Sequence, residues 1–236
     1  MEVSDGMEWQ KFTYALLLAG SVLIPFILSF DKKVAFFRNW KYLFPATLIT
    51  AAVFIIWDIY FTKHNVWWFN KDFVTGLFIQ GLPVEEWLFF IIIPYCCIFI
   101  YEVSRAYLKK EWKGFIIPVN IILFIIFLVI TLVNIDRIYT AVNFGMATFI
   151  IGLQFFLKTH KTWMFHFYVA YALSLIPFFL VNGVLTSMPV VGYNDEENLA
   201  MRIYTIPVED FAYLVNLLLM NLTLYEFFKS RSLKRR

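Results

Sequence analysis

Long apolar runs alternate with short polar ones along most of this chain. The runs fall at 12–29, 42–61, 84–104, 115–133, 138–157, 163–182 and 207–228. Each approaches the length of about 20 residues with which a helix crosses a hydrocarbon layer about 30 Å thick. Only the polar knot Asn134, Asp136 and Arg137 separates the fourth run from the fifth. Joined, those two would make a helix far too long for one bilayer, so the pattern predicts seven spans. The expected fold class is an all-α integral membrane protein.

Composition agrees. Of the 236 residues, 61% are hydrophobic, 21% aromatic and 16% charged. A soluble domain is nearer one half apolar and about one quarter charged, so the composition disfavours a water-soluble fold. The net charge of +3 matters less than where the cations fall. With the N-terminus outside, the inner segments hold Lys32, Lys33, Arg38 and Lys41, then Arg105, Lys109, Lys110 and Lys113, then Lys158 and Lys161, then the tail from Lys229 to Arg236. Fifteen of the 20 basic residues then lie inside, which supports both the span count and the orientation. Met1 to Glu8 is acidic and lacks the basic start of a signal peptide, so the first run is expected to be a retained span. The compact chain suggests a bacterial inner membrane, with the C-terminus cytoplasmic and no nucleic-acid partner. Cys96 and Cys97 sit side by side in an apolar run and are expected to act as small buried residues.

An internal repeat organises the chain further. Leu82-Pro83-Val84-Glu85-Glu86-Trp87 corresponds to Ile206-Pro207-Val208-Glu209-Asp210-Phe211 at an offset of 124 residues. The same offset carries Tyr101-Glu102 onto Tyr225-Glu226, Arg105 onto Lys229 and Asp58 onto Asn182. Apolar matches between hydrophobic helices arise easily; matches among Pro, acidic and Tyr-Glu positions at one offset do not. The first, second and third spans thus correspond to the fifth, sixth and seventh. A shift of four spans preserves orientation, which predicts two parallel three-helix repeats. Residues 1–113 form the first; residues 114–236 contain a connector helix and the second.

The acidic motifs are the chief candidates for chemistry. Pro83 and Pro207 are expected at the first helical position, where a missing N–H costs nothing. That places Glu85, Glu86, Glu209 and Asp210 in the first turn of their helices. A lone acid there has an ordinary explanation in the helix dipole, which favours it by about 0.3–1 kcal/mol. Paired acids repeated at membrane depth point instead to function. Asp58 and Asn182 lie at the same level, so five carboxyl groups and an amide are expected around one polar chamber. Glu102 and Glu226 lie at the other ends of their helices, each three residues before a cation, as an i,i+3 ion pair requires.

Trp57, Trp87, Phe89, Phe90, Phe211 and Tyr213 flank the acids, and aromatic faces near a carboxylic acid can stabilise a cation. His64, His160 and His166 show no metal-ligand spacing, and no metal is expected. There is no Gly-x-Gly fingerprint, so neither a flavin nor a nicotinamide is expected. The final span has no lysine before Lys229, which excludes a retinal Schiff base there. Parallel repeats with facing acids also fit a proton-coupled transporter or channel, although matching Gly-interrupted spans are missing.

Trp57-Asp58, Asn65-Val66-Trp67-Trp68-Phe69-Asn70, Gly76 and Gly81 through Phe90 together closely resemble the membrane lycopene β-cyclases of the heterodimeric and fused type. The resemblance covers nearly the whole chain, with Asn182 replacing Asp58 in the second half. It implies an isomerase of carotenoid biosynthesis that needs no cofactor and cyclises the linear ψ-ends of lycopene to β-ionone rings, giving γ-carotene and β-carotene. It implies Glu85, Glu86, Glu209, Asp210 and Asp58 as the acid/base set, with the flanking aromatics and Asn182 around the substrate. The partners implied are a carotenoid dissolved in the bilayer and membrane lipids, with homo-oligomers or association with other carotenoid enzymes left open. A non-catalytic carotenoid-binding protein is the alternative within the same setting.

Overall fold

The computed structural model describes residues 9–233, which form seven long helices. In chain order these are α1 Thr13–Leu28, α2 Trp40–Lys63, α3 Val84–Tyr107, α4 Ile116–Val133, α5 Ile138–Phe156, α6 Met164–Ser187 and α7 Val208–Leu233. Each expected apolar run becomes one helix, and Asn134 to Arg137 is the turn between α4 and α5. Six helices are long and apolar enough to cross a membrane; α1 is shorter. At 16 residues it extends about 24 Å, at 1.5 Å per residue. Met1 to Glu8 and the cations Lys234, Arg235 and Arg236 lie outside the described residues.

The helices turn large apolar side chains outward. Ile121, Ile125 and Val129 on α4 and Ile176 and Leu180 on α6 are all exposed. In water such a surface would be strongly unfavourable, whereas lipid makes it neutral. Inside, α2 runs along α3 and α7, α5 along α7, and α1 along α3. By contrast, α6 packs along α3 and touches α7 only lightly.

Short strands cover one end of the bundle. Strands β2 (Phe78–Ile79) and β3 (Leu82–Pro83) form a hairpin immediately before α3. Gln80 and Gly81 at its tip have φ of 54° and 86°, the two left-handed residues that a tight turn matching strand twist demands. Strands β5 (Arg202–Ile203) and β6 (Ile206–Pro207) form the corresponding hairpin before α7, with Tyr204 at φ 60°. Between the hairpins, β1 (Trp67–Phe69) pairs antiparallel with β4 (Val191–Tyr193), placing Trp68 opposite Gly192.

Two local expectations need correction. Pro83 does not begin its helix: it stands one residue earlier, in extended conformation (φ −64°, ψ 149°), and α3 starts at Val84. Pro207 likewise ends β6. A proline at the cap donates nothing to the strand pairing and lets its carbonyl enter the helix. The second correction is at the opposite end. Glu102 does not pair with Arg105, nor Glu226 with Lys229. Arg105 Nη1 meets Glu226 Oε1 at 2.6 Å and Lys229 Nζ meets Glu102 Oε1 at 2.6 Å. Tyr101 donates to Glu226 and Tyr225 to Glu102, both at 2.8 Å. Because α3 and α7 lie side by side, each cation reaches across to the neighbouring helix, which also draws in the tyrosine hydroxyls.

Candidate active site

The first turns of α3 and α7 bring the two acidic motifs together under the hairpins. Within each motif the two acids point different ways. Glu85 Oε1 accepts the backbone N–H of Thr75 at 2.7 Å, and Glu209 Oε1 accepts that of Leu199 at 2.8 Å. Thr75 and Leu199 are themselves 124 residues apart, so both glutamates tie down the loop leading into their hairpin. Thr140 Oγ1 also donates to Glu209 at 2.7 Å. Neither Glu85 nor Glu209 lines the chamber.

The second acid of each motif does. Glu86 and Asp210 line a buried cavity of about 60 Å³ together with Asp58, Asn182, Tyr14, Tyr139, Tyr193 and Tyr213. All three carboxyl groups are nearly solvent-free. Glu86 accepts a hydrogen bond from Tyr14 at 2.6 Å, and its carboxyl also meets that of Asp58. Asp58 Oδ1 accepts from the hydroxyl of Tyr213 at 3.4 Å, and Oδ2 is buried without a hydrogen-bond partner. Asp210 is surrounded by donors: Tyr139 at 2.5 Å on Oδ1, then Tyr193 at 2.9 Å and Asn182 at 3.2 Å on Oδ2. Burial first, then the adjacent Asp210, pushes the Tyr193 phenol well above the usual range, so it remains a donor at any physiological pH.

Aromatic rings enclose this polar centre. Tyr213 lies 5.2 Å from Trp57 and 5.1 Å from Phe54, ring centre to ring centre. Trp67 stands edge-on to Tyr139 at 5.1 Å, and Tyr139 stacks on Tyr193 at 6.0 Å. Phe89 is in the cavity wall. Phe90 is buried behind it against Phe54. Trp87 turns away to Ile79, its indole N–H 3.3 Å from the carbonyl. Phe211 packs on Phe178 and Phe179 and borders a separate apolar cavity. Of the twelve residues singled out from sequence, Asp58, Glu86, Asp210, Asn182, Tyr213 and Phe89 therefore border the chamber.

Sequence reasoning passed over Tyr14, Tyr139 and Tyr193, and took Trp67 only as part of the family resemblance, not as a site residue. A signal for two of them was present. Tyr14 and Tyr139 are 125 residues apart, one off the motif offset, and each donates to the second acid of its own half.

The chamber does not stand alone. Phe89, Asn182, Asp210 and Tyr213 also border a groove of about 490 Å³, which continues between α1, α3, α6 and α7. Apart from those shared groups its walls are almost wholly apolar, including Leu17, Ile93, Val181 and Leu214. An apolar chain in the groove would present one end to the acids.

The sequence model of the family described as "Lycopene cyclase" matches residues 11–104 and again residues 136–228. This chain belongs to that family. The two matched stretches carry the two acidic motifs, so the lycopene cyclase pattern occurs once in each half. Among curated proteins, the chain is 28% identical over 99 residues to a "Bifunctional lycopene cyclase/phytoene synthase" of Aspergillus oryzae. That alignment takes in 41% of this chain and 16% of the fungal protein, so the chain corresponds to a small part of that relative. No solved structure matches it.

Proposed function

We propose that this protein is a lycopene β-cyclase, an integral membrane isomerase that closes the linear ψ-end of lycopene into a β-ionone ring. The reading is carried by one observation: three buried carboxyl groups, contributed by both halves of the chain, meet in a chamber that shares a wall with an apolar groove. Ionisable groups so buried among membrane helices are costly, and their convergence beside an apolar groove fits proton chemistry on a hydrocarbon.

The reaction adds one proton and removes one. A carboxylic acid protonates the terminal double bond, leaving a tertiary cation at C1. The C5=C6 double bond attacks it, forming the C1–C6 bond and moving the charge to C5. Loss of the C6 proton restores a C5=C6 double bond. No electrons are exchanged, and the product is an isomer of the substrate. An alkene is a weak base, so the donor must be a neutral carboxylic acid in a dry site. The Asp58–Glu86 pair suits that role, because two buried carboxyl groups lining one cavity repel less when one of them carries a proton. Asp210, with three donors aimed at it, suits the carboxylate that steadies the cation and accepts the C6 proton. Tyr213 and Trp67, both in the chamber wall, supply aromatic faces for the developing charge. Glu85 and Glu209 act one step away, by fixing the loops that roof the chamber.

In this reading the chain consists of two parallel repeats, 1–113 and 114–236, with α4 as the connector of the second. All seven helices span the membrane, the hairpins lie on the outer side, and the C-terminus faces the cytoplasm, in a bacterial inner membrane. The recurrence of contacts at one offset and the two family matches support the repeat, and the distribution of Lys and Arg supports the orientation.

Expression in bacteria that accumulate lycopene tests the proposal, with pigments separated by chromatography. Conversion to γ-carotene or β-carotene is expected without added flavin or nicotinamide. Lycopene that persists beside correctly inserted protein would reject the cyclase and favour a carotenoid-binding role.

A further inference from the structure

Among the described residues, the groove that borders the chamber lies between α1, α3, α6 and α7, and two residue differences between the halves distinguish this place from its repeat equivalent. At the repeat offset, Trp57 corresponds to Val181 and Phe90 to Leu214. Val181 and Leu214 border the groove. Their counterparts fill the equivalent space: Phe90 is fully buried and Trp57 nearly so, both against Phe54. The helix packing shows the same difference, since α2 lies along α3 whereas α6 stands off α7.

From this asymmetry we infer that the protein has a single ψ-end site, reached along α1 and α6, whose bore is set by Val181 and Leu214. The inference rests on the cyclase reading and deepens it. From Phe89 to Ile100 on α3 the groove is about 16 Å deep, at 1.5 Å per residue. An extended lycopene is comparable in length to the hydrocarbon layer of about 30 Å. One half of the polyene therefore occupies the groove while the other half remains in lipid. The groove and the chamber share Asp210, Asn182, Phe89 and Tyr213, while Asp58 and Glu86 border the chamber alone. A ψ-end arriving by this route passes the amide-supported Asp210 and stops against the carboxyl pair. Trp57 and Phe90 bar the equivalent route from the other side. The two ends of lycopene are then cyclised in separate visits, and the one-ringed γ-carotene leaves the site between them.

The first test installs the first half's own residues in the second. Val181→Trp and Leu214→Phe should each lower the initial rate of lycopene conversion roughly tenfold or more by occupying the substrate's place. Gly20→Phe provides an independent plug, because a Cβ there meets nothing within 4 Å and the ring can enter the groove without displacing protein. Pigment retained by protein purified from lycopene-containing membranes separates blockage from lost chemistry. Glu86→Gln should retain lycopene unconverted, whereas the three plugged variants should retain little. The second test follows products over time with lycopene in excess: free γ-carotene should rise before β-carotene. A wild-type enzyme that cyclises lycopene, together with folded plugged variants of unchanged rate and pigment content, would overturn the single groove. So would β-carotene forming without free γ-carotene. Failure of the wild type to cyclise at all would instead refute the underlying cyclase reading.

Discussion

Neighbouring residues of one motif, Glu85 and Glu86, differ sharply in what they touch, and substitution should separate them. Glu86→Gln removes a proton-bearing group from the Asp58 contact, and Asp210→Asn removes the proposed acceptor. General acid/base groups contribute about 100- to 10,000-fold, so each change should lower the initial rate in membranes by about 100-fold or more. Glu85→Gln keeps an acceptor for the Thr75 N–H and exchanges a charged hydrogen bond for a neutral one. The difference is about 1 kcal/mol, so a loss within about tenfold is expected. Equal losses at Glu85 and Glu86 would remove the distinction drawn between them. That distinction was not legible in the sequence. Consecutive residues in a helical first turn diverge by about 100°, as 3.6 residues per turn require, but which of them faces inward depends on where the neighbouring helices stand. The tyrosines were obscured for a related reason: among 13 Tyr and 28 Phe, a functional hydroxyl looks like packing until its acceptor is seen.

Helices were the most legible elements, because lipid demands long unbroken apolar runs and the Asn134–Arg137 knot marks the one break that length required. What escaped was the partnering between helices. The sequence spacing suited Glu102 with Arg105 and Glu226 with Lys229, yet contacts between helices won, because each carboxylate then also accepts a tyrosine hydroxyl. The Lys229–Glu102 pair is the more enclosed, its side chains 19% and 10% exposed against 38% and 16% for Arg105–Glu226. Glu102→Gln should therefore destabilise the detergent-solubilised protein by about 1–3 kcal/mol, and Glu226→Gln by less than about 1 kcal/mol. Thermal melting of the two variants compares them directly. Beyond α3, Glu111 bonds Lys113 at 2.8 Å and His166 at 3.2 Å. The Lys113 ammonium foremost holds its carboxyl below the usual range. A depressed carboxyl stabilises the fold fully above its unfolded pKa of about 4.3, and that contribution disappears as pH falls through the lower folded value. Glu111→Gln should thus make melting temperature less sensitive to pH below about 4.3 while leaving activity unchanged at neutral pH.

For the whole molecule, the charge distribution predicts an orientation that fusion reporters can check. A fluorescent protein at the C-terminus should mature in the cytoplasm, and a periplasm-dependent phosphatase there should stay inactive; the opposite pattern would invert the assigned sides. The 124-residue offset was readable because it preserved Pro, acidic and Tyr-Glu positions. The functional difference between the halves was not, because Trp57 against Val181 resembles ordinary apolar drift until one is seen to fill a space that the other leaves open.

Where β1 meets β4, Trp68 lies against Gly192, and a Cβ at that glycine would come within 2.4 Å of the indole. Since 68 and 192 are themselves equivalent, a large ring in one half is seated on a missing side chain in the other. Two copies of the first half would press indole on indole at this contact. The contact therefore joins unlike partners: the ring comes from one half and the bare backbone that receives it from the other.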